Sequence, residues 1–382
     1  MAWNSRYKIF ARQKRHKVTS RRLLVTGAAG FIGANFAHFW IASNPDDRIV
    51  ILDALTYAGN FTSIASLAKR EHVRFVKGDI RDFELVRDIL QTEALNTIVH
   101  FAAESHVDRS ILGPGEFVAT NIVGTQVLLD AARAAWLEKG LPHRFHHIST
   151  DEVYGSLGPT DAAFTEAHPY DPRSPYAASK AASDHLVRAY GHTYGLDYSI
   201  SNCSNNYGPY QFPEKLIPLC IVNILEGRPL PIYGDGLNVR DWLHVEDHCA
   251  AVKVIIESSQ PGRTWNIGGR SERNNLALVR ELCHAVDEAF GRDNMLKNRF
   301  PNCPAAQGNS SEELITFVKD RPGHDRRYAI DATRLEQELG FEPRYDLSRG
   351  LRETVGWYLA NENWWRAVLS GQYKEWVQRQ YG

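Results

Sequence analysis

Tyr176 and Lys180 have the residue types and the spacing needed for redox chemistry on an alcohol. A separation of four residues puts both side chains on one face of a helix. Tyrosine has a pKa of about 10 and is a weak base at neutral pH. A lysine ammonium one turn away favours the phenolate. Tyr176 is therefore predicted to take the proton of a substrate hydroxyl while a hydride leaves the carbon.

Thr150, Asp151 and Glu152 lie directly after a predicted strand and precede Tyr176 in the chain. Consecutive residues that leave a strand point in different directions, so the two carboxyl groups can address different substrate atoms. An acid and a base drawn from two nearby carboxyl groups require one neutral and one ionised environment. Alcohol oxidation alone needs no such pair. The group therefore predicts oxidation followed by elimination.

A glycine-rich turn joins the first predicted strand to the first predicted helix. Gly27, Gly30 and Gly33 follow a G-x-x-G-x-x-G pattern, in which Phe31 and Ile32 open the helix. Glycines permit a tight turn and close approach of the backbone, and the helix N-terminus attracts a pyrophosphate. A glycine triplet is weak evidence by itself, but this one has a strand before it and a helix after it.

The residues that end the next strands complete a predicted dinucleotide site. Asp53 ends the second strand, 20 residues after Gly33, where a carboxylate accepts hydrogen bonds from ribose hydroxyls and repels a 2′-phosphate. NAD is therefore predicted rather than NADP. Asp79 and Ile80 follow the third strand and are expected beside the adenine. Residues 102–106 follow the fourth strand and are expected along the cofactor, with Lys180 on the nicotinamide ribose.

Short apolar runs alternate with helical patterns in the first half of the chain. The runs predict strands at 22–26, 49–53, 73–77, 97–101, 145–149 and 198–200, and helices include 31–43, 83–93 and 121–138. Alternating strands and helices indicate an α/β fold with a parallel, doubly wound sheet. The pattern breaks after about residue 205, where prolines punctuate turns and short helices, and from about 272 the chain reads as helical and loop-like.

These patterns predict three regions. Residues 1–20 form a basic, disordered extension, and residues 21–205, with about 241–271, form a dinucleotide-binding Rossmann domain. Residues 206–240 and 272–382 form a smaller mixed α/β lobe that binds the substrate. The segment 302–311, with Pro304, Gly308 and two adjacent serines, is predicted to be a loop insertion in that lobe.

Composition excludes several classes of protein. The chain has 382 residues, enough for a large core, and a formal net charge of -1, which gives no general attraction to nucleic acid or to an anionic membrane. No apolar run of about 18 residues predicts a membrane-spanning helix. The five cysteines are scattered and never in C-x-x-C spacing, so free thiols in a reducing cytoplasm are expected, with neither a disulfide framework nor a metal site.

Several blocks of sequence together resemble the dTDP-glucose 4,6-dehydratase family of the extended short-chain dehydrogenase/reductase superfamily. The resemblance runs from about residue 22 to about residue 360. Its most specific blocks are 100–110 (HFAAESHVDRS), 149–155 (STDEVYG), 202–209 (NCSNNYGP), 212–218 (FPEKLIP) and 320–325 (DRPGHD). The basic extension and the segment 302–311 depart from the family pattern, and neither touches the blocks that carry the chemistry.

The resemblance implies a three-step reaction with tightly bound NAD that is regenerated in each turnover. Tyr176, held by Lys180 and assisted by Thr150, removes the proton of the sugar 4-hydroxyl while the C4 hydride leaves. Glu152 then removes the C5 proton, and Asp151 protonates the departing 6-hydroxyl. A hydride returns to C6 and a proton to C5, which yields a 4-keto-6-deoxy sugar nucleotide.

Site residues follow from these motifs and from the resemblance. Lys215, Arg240 and Arg321 are cations suited to a diphosphate, and Asn266 is predicted in a glycine-bounded turn that reaches the ligand. The predicted cofactor-binding residues are Gly27, Gly30, Phe31, Ile32, Gly33, Asp53, Thr56, Asp79, Ile80, Ala102, Ala103, Thr120, Tyr176, Lys180 and Asn206. The predicted substrate-binding residues are Ser105, His106, Thr150, Asn205, Asn206, Lys215, Leu216, Tyr233, Arg240, Asn266, Arg321 and His324.

Other functions remain open at this point. A 4-epimerase or a UDP-glucuronate decarboxylase shares the glycine turn and the Tyr–Lys pair, but neither needs Asp151 to protonate a C6 hydroxyl. UDP- or CDP-glucose is an alternative substrate to dTDP-glucose. A catalytically dead NAD-binding protein is the alternative from another class. The resemblance also implies a homodimer formed by the helical stretches 117–136 and 176–194, with no nucleic-acid or membrane partner.

Overall fold

The computed structural model describes residues 21–320 and 325–370. The predicted basic extension at 1–20, and the predicted substrate contacts Arg321 and His324, lie outside these ranges. The strands are β1 Arg22–Thr26, β2 Arg48–Asp53, β3 Val73–Lys77, β4 Thr97–His100, β5 Arg144–Thr150, β6 Tyr198–Cys203, β7 Asn205–Tyr207, β8 Leu230–Tyr233, β9 Val239–His244, β10 Arg263–Ile267, β11 Glu272–Asn274 and β12 Ile315–Val318.

Thirteen α-helices, counted within the described ranges, surround these strands. A continuous helical stretch from Pro114 to Leu137 contains two π-helical segments, Val118–Val123 and Arg133–Leu137. The helices are α1 Phe31–Ser43, α2 Phe83–Thr92, α3 Val107–Leu112, α4 Pro114–Phe117, α5 Gly124–Ala132, α6 Pro175–Tyr194, α7 Leu216–Leu225, α8 Val245–Ser258, α9 Asn275–Arg292, α10 Met295–Arg299, α11 Thr333–Leu339, α12 Leu347–Ala360 and α13 Glu362–Ser370.

Seven parallel strands form the central sheet in the order β10-β6-β5-β4-β1-β2-β3. The strands are buried on both faces, which explains why β1, β2 and β4 read as continuous apolar runs rather than as alternating ones. The strand order reverses between β1 and β4, and open α/β sheets bind ligands at the carboxyl ends of the strands at such a reversal. The predicted doubly wound fold is confirmed.

Helices cover both faces of this sheet. On one face α1 and α8 pack together over a core that includes Trp40 and Val252. On the other face α2, α5 and α6 enclose a core that includes Leu128 and Phe145. Since α8 and β10 come from the segment 245–267, that part of the chain contributes one strand to the main sheet and one helix to the layer that covers it.

A second core belongs to the C-terminal part of the chain. Helices α7, α9 and α12 bury Ile221, Leu282 and Tyr358 against one another. Two small sheets adjoin them: β7, β9 and β11 form one, and β8 with β12 forms the other.

The structure corrects three sequence predictions about the second half. Residues 265–267, predicted as part of a glycine-bounded turn at 265–269, belong to β10, the seventh strand of the main sheet, which pairs with β6. The region after 272 contains β11 and β12 as well as helices. The predicted loop at 302–311 is packed into the lobe, because Cys303 is fully buried and Ser311 donates a hydrogen bond to Asp287.

In the two described ranges, no helix combines the length and the apolar character needed to cross a lipid bilayer.

Candidate active site

A cleft of about 360 Å³ opens at the carboxyl ends of the strands, where the strand order reverses. Every predicted catalytic residue and every predicted cofactor-binding residue lines it. The topology therefore brings together segments that lie up to about 190 residues apart in the sequence, from Gly27 to Lys215. The physical role of each segment follows from its local geometry.

The glycine turn is packed so closely against the protein's own main chain that side chains would not fit at two of its positions. Gly27 has a φ of +70°, and a Cβ there would lie 2.5 Å from the main-chain nitrogen of Ala102. A Cβ on Gly33 would lie 2.4 Å from the carbonyl oxygen of Gly27. The first turn of α1 therefore packs directly on β1 and β4, with its free N–H groups at the cleft. This arrangement fits the pyrophosphate of a dinucleotide.

Asp53 ends β2 beside this turn and braces it. Its two carboxylate oxygens accept hydrogen bonds from the backbone N–H groups of Ala29 and Leu55, both at 2.8 Å. The carboxylate is thereby fixed at the rim, and each oxygen keeps a lone pair for a ribose hydroxyl. A negative charge held in this place favours NAD over a 2′-phosphorylated dinucleotide. The donors and acceptors of the cleft thus fit NAD.

Helix α6 begins just before Tyr176 for local reasons. The hydroxyl of Ser174 accepts a hydrogen bond from the N–H of Ala177, and Pro175 occupies the first helical position. Such a cap contributes about 1 kcal/mol and sets where the helix begins. Tyr176 and Lys180 consequently face the cleft from the first and second turns of the helix.

Burial is the largest influence on the pKa values of Tyr176 and Lys180. Burial and the carboxylate of Glu152 raise the pKa of Tyr176 well above its usual range, while a hydrogen bond with Thr150 lowers it. Burial lowers the pKa of Lys180 to about 8, and its ammonium donates to the carbonyl of Ile148 at 2.7 Å. Without the cationic nicotinamide, desolvation outweighs the protein groups that favour the phenolate of Tyr176.

The three residues after β5 form a tight turn. The hydroxyl of Thr150 donates to Oδ1 of Asp151 at 3.3 Å, and the short 3₁₀ turn from Asp151 to Tyr154 ends at Gly155, whose φ is +96°. Among the described residues, no group forms a hydrogen bond with Oδ2 of Asp151, although this atom is buried. A buried carboxyl oxygen beside an open cleft is well placed to meet a ligand atom.

Asp151 is poised as an acid. Burial, followed by the neighbouring carboxylates of Glu152 and Asp241, raises its pKa well above the usual range. Glu152 is more exposed than Asp151. Two adjacent carboxyl groups thus occupy different environments, which is the condition for one to act as acid and the other as base.

The predicted substrate-binding residues divide into two groups. Thr150 and four further residues line the cleft: Ser105, Asn205, Asn206 and Lys215. Lys215 reaches across it, since its ammonium donates to the carbonyl of Ser105 at 3.2 Å. The second group lies outside the cleft lining within the described residues and consists of His106, Leu216, Tyr233, Arg240 and Asn266.

Arg240 contacts the segment that begins at Asp325. Its guanidinium donates to the carbonyl of Asp325 at 2.9 Å and lies 4.5 Å from the ring centre of Tyr328. Arg240 is also close enough to Asp151 to lower the pKa of that carboxyl group. It therefore connects the catalytic turn to the C-terminal lobe.

Asn266 corrects the sequence prediction of a ligand-facing turn. It lies in β10 and is fully buried. Its amide nitrogen donates to the carbonyls of Phe164 and Asp331, and its oxygen accepts from the hydroxyl of Tyr154. Both amide hydrogens are used inside the protein, so Asn266 anchors the end of the catalytic turn instead of presenting its amide N–H groups to the cleft.

Sequence reasoning missed a buried charged group on one wall of the cleft. Glu214 lies 3.7 Å from both His106 and Arg109, and the guanidinium of Arg109 stacks 3.5 Å from the ring centre of Tyr57. Burial raises the pKa of Glu214 and of nearby Glu104. Glu214 lies in the block 212–218, and Glu104 and Arg109 lie in the block 100–110, but no pattern in the sequence showed that these blocks are in contact.

Asn121 was missed as well. It lies in the first π-helical segment, where its amide donates to the carbonyl of Glu104 and to the hydroxyl of Ser179. It therefore joins the cleft wall to helix α6. π-Helical turns inside α-helices often mark functional sites, but this turn is not visible in the sequence.

Comparison with known proteins shows the family. A family model described as GDP-mannose 4,6 dehydratase matches residues 24–354. A dTDP-glucose 4,6-dehydratase of Xanthomonas campestris pv. campestris is 53% identical over 357 residues, which is 92% of this chain and 97% of the relative. The chain belongs to the dTDP-glucose 4,6-dehydratase family. The resemblance predicted from the sequence blocks is confirmed.

Solved structures of dTDP-glucose 4,6-dehydratases agree with this fold. DesIV of Streptomyces venezuelae, solved with NAD, is 45% identical with a TM-score of 0.79 and covers 91% of this chain and 99% of its own. The enzyme of Bacillus anthracis, also in complex with NAD, is 42% identical with the same TM-score and covers 91% and 100%.

Proposed function

We infer that this chain converts dTDP-glucose to dTDP-4-keto-6-deoxyglucose and water, acting as an NAD-dependent hydro-lyase. The observation that carries the inference is the buried carboxyl group of Asp151, which lines the cleft beside Glu152 and Tyr176 and whose Oδ2 has no hydrogen-bond partner among the described residues. An epimerase or a decarboxylase on this scaffold has no need of an acid at that place. Relatives at 53% identity carry the same activity in their names.

NAD is the cofactor, as the sequence predicted. The cleft offers it the glycine turn and the carboxylate of Asp53, and two solved relatives contain it. When bound, NAD accepts a hydride from C4 of the sugar and later returns it to C6, so no external reductant is consumed. Every other step falls to side chains of this chain.

Tyr176 is the base for the first step. Its oxygen accepts the proton of the 4-hydroxyl, and Thr150 holds a hydrogen bond to that oxygen. The ammonium of Lys180, fixed by the carbonyl of Ile148, adds positive charge one turn below, and the cationic nicotinamide adds more. Together they offset the burial that disfavours the phenolate. The product of this step is a ketone at C4, which acidifies the C5 proton.

Elimination uses the two carboxyl groups. Glu152 removes the C5 proton while Oδ2 of Asp151 gives its proton to the 6-hydroxyl, which leaves as water. The proton on Glu152 then returns to C5 as the hydride returns to C6. At the end of this sequence Glu152 is ionised again, whereas Tyr176 holds one extra proton and Asp151 lacks one.

One proton must therefore pass from Tyr176 to Asp151 before the next turnover. Thr150 lies between them, with a hydrogen bond to each side chain. A hydroxyl accepts one proton while it releases another, so Thr150 can return the proton without opening the site to water. This return leaves the net charge of the three residues unchanged.

Replacement of Thr150 by valine tests this return step. We expect the steady-state rate to fall by about 10²-fold, the usual contribution of one positioned proton transfer, while the first turnover on holoenzyme slows much less. Thr150→Ser keeps the hydroxyl and should restore both rates. The measurement is the ratio of first-turnover to steady-state rate. A valine variant with the wild-type ratio would contradict the relay.

The diphosphate is assigned to Lys215, which lines the cleft from the start of α7. Arg240 lies outside the cleft lining, where its guanidinium donates to the carbonyl of Asp325. Ser105, Asn205 and Asn206 offer neutral polar groups in the same cleft. Lysine binds a diphosphate as a point charge.

The experiment that tests the function is mass spectrometry of the products of purified protein, without added NAD, from dTDP-glucose and separately from UDP-glucose. A product lighter by one water, formed much faster from dTDP-glucose, is expected. A product of unchanged mass would show epimerisation instead. If neither sugar nucleotide gives a product but denaturation releases NAD, the assignment of the cofactor site would stand and the assignment of the substrate would be wrong.

We propose that the protein is a homodimer. Four apolar side chains at the surface of α3 and of the first π-helical segment are strongly exposed, namely Ile111, Leu112, Val118 and Val123, and Tyr194 at the end of α6 is also exposed. Such clustering favours a partner surface. A second copy of the chain, packed through these helices, would cover all five.

A charged residue in this surface tests the dimer. We expect Val118→Glu to yield monomers by sedimentation velocity, because a carboxylate in the centre of an apolar interface has no partner. Met295→Glu is the matched control, since Met295 is exposed in the other lobe and should not alter the mass. A wild-type protein that sediments as a monomer would contradict the proposal.

A cytoplasmic location is supported by the cysteines. All five are free and buried, which suits a reducing compartment.

A further inference from the structure

Asp184 is a fully buried carboxylate that the reaction steps do not use. It lies one turn after Lys180 on α6 and is 0% exposed. Its Oδ2 accepts hydrogen bonds from the hydroxyls of Ser149 at 2.9 Å and Tyr170 at 2.8 Å. Ser149 directly precedes Thr150 at the end of β5. One carboxylate therefore contacts both halves of the catalytic apparatus, the helix and the strand end.

His147 lies between this carboxylate and Lys180. Its Nε2 is 3.2 Å from Oδ1 of Asp184 and 3.5 Å from the ammonium of Lys180. Burial, followed by the charge of Lys180, lowers the pKa of His147 to about 4, so the ring is neutral at pH 7. Asp184 is then a negative charge that acts on Lys180 and contacts the ring lying beside its ammonium.

Arg188 places a positive charge near the carboxylate of Asp184, through the hydroxyl of Tyr170. It lies one turn after Asp184, and its guanidinium donates at 2.7 Å to the hydroxyl of Tyr170, which in turn donates to Asp184. Lys180, Asp184 and Arg188 thus form a ladder of alternating charge along one face of α6. Burial alone would raise the pKa of Asp184, but its contacts with His147, Lys180 and Tyr170 outweigh burial and leave it lowered.

We propose that Asp184 is a positioning residue that keeps Lys180 charged and fixed beneath Tyr176, acting through His147 and opposed by Arg188. This inference rests on the proposed function, because it concerns the base of the first step. Burying an ammonium without a counter-charge costs several kcal/mol, and Asp184 supplies that charge while staying out of the cleft. Asp184 touches neither the substrate nor the cofactor in this arrangement.

The sign of the effect follows from the surroundings of Lys180. A negative charge raises the pKa values of neighbouring groups, and a positive charge lowers them. Asp184 and Cys203 raise the pKa of Lys180, which partly offsets the lowering of that pKa by burial. The titratable groups that face Lys180 are His100 on β4, His147 on β5, Cys203 on β6, and Tyr176 and Asp184 on α6.

The test is the pH profile of the first turnover on holoenzyme. In Asp184→Asn we expect the midpoint of its rising limb to move to lower pH by about half a unit or more. We also expect the maximal rate to fall about tenfold, because a smaller fraction of the enzyme has Tyr176 ionised while Lys180 holds its proton. In Arg188→Met we expect the midpoint to move to higher pH, since a positive charge has been removed.

Tyr170→Phe is the control, because it removes a hydrogen bond to Asp184 and no charge at neutral pH. Its midpoint should stay at the wild-type value. Unchanged midpoints in Asp184→Asn and Arg188→Met, or shifts in the same direction, would overturn the proposal and leave Asp184 a purely structural residue. If Asp184→Asn does not fold, Arg188→Met against Tyr170→Phe decides alone. Wild-type protein that forms no keto sugar would instead overturn the proposed function.

Discussion

Asp151→Asn is expected to stop the reaction between its two halves. The amide keeps the shape of the side chain and its contact with Thr150 but has no proton to give to the leaving hydroxyl. C4 oxidation should proceed, and reduced nicotinamide should accumulate on the enzyme while water release falls about 10²- to 10⁴-fold. The near-ultraviolet absorbance of the reduced cofactor, followed together with product mass, measures both halves in one experiment.

Two comparisons make the Asp151 result specific. Asp171→Asn removes a carboxylate from a neighbouring loop whose side chain is 70% exposed, and it should turn over like the wild type. In the wild type, elimination should slow as the pH rises through the raised pKa of Asp151, because only the protonated form donates. An Asp151→Asn enzyme that releases water at the wild-type rate would remove this residue from the mechanism.

The sequence predicted those parts of the site whose residues lie close together in the chain. The glycine turn and residues 150–152 each lie at the end of a strand, and the parallel topology brings such positions to one edge of the sheet. Tyr176 and Lys180 line the same cleft from the first two turns of α6. Once the alternation of strands and helices was recognised, their convergence followed. The first five predicted strands accordingly match the structure within one residue at each end.

The parts that sequence did not predict depend on contacts between distant segments. Glu214 meets Arg109 across more than one hundred residues, and nothing local marks either as a partner. Asn266 reads as a turn because two glycines follow it, yet strand pairing with β6 overrides that local preference and buries the amide. Asp184 looks like an ordinary helical carboxylate until the fold places His147 beside it.

The burial of Tyr176 is another property that depends on the fold and not on the motif. The sequence shows a lysine one turn away, which favours the phenolate, but it does not show that the hydroxyl is buried near Glu152. Desolvation by the fold outweighs the charge that the motif supplies. The holoenzyme must therefore generate the phenolate through the whole site: Lys180, its buried counter-charge and the bound cofactor.

Tyr176→Phe is expected to abolish the first step and with it every later one. Phenylalanine keeps the ring, which packs edge-on against Phe117 at 6.3 Å, but it has no oxygen to accept the 4-hydroxyl proton. The overall rate should fall by about 10²- to 10⁴-fold, with folding and NAD content unchanged. Unlike Asp151→Asn, this variant should accumulate no reduced nicotinamide.

The double variant Tyr176→Phe/Asp151→Asn orders the two steps. Because the base acts before the acid, the double variant should behave like Tyr176→Phe alone, with oxidised cofactor and unreacted sugar nucleotide. Its loss of rate should be far smaller than the product of the two single losses, as expected for residues that act in one sequence. Reduced nicotinamide in either variant that carries Tyr176→Phe would mean that another group removes the 4-hydroxyl proton, and the assignment of Tyr176 as the base would be wrong.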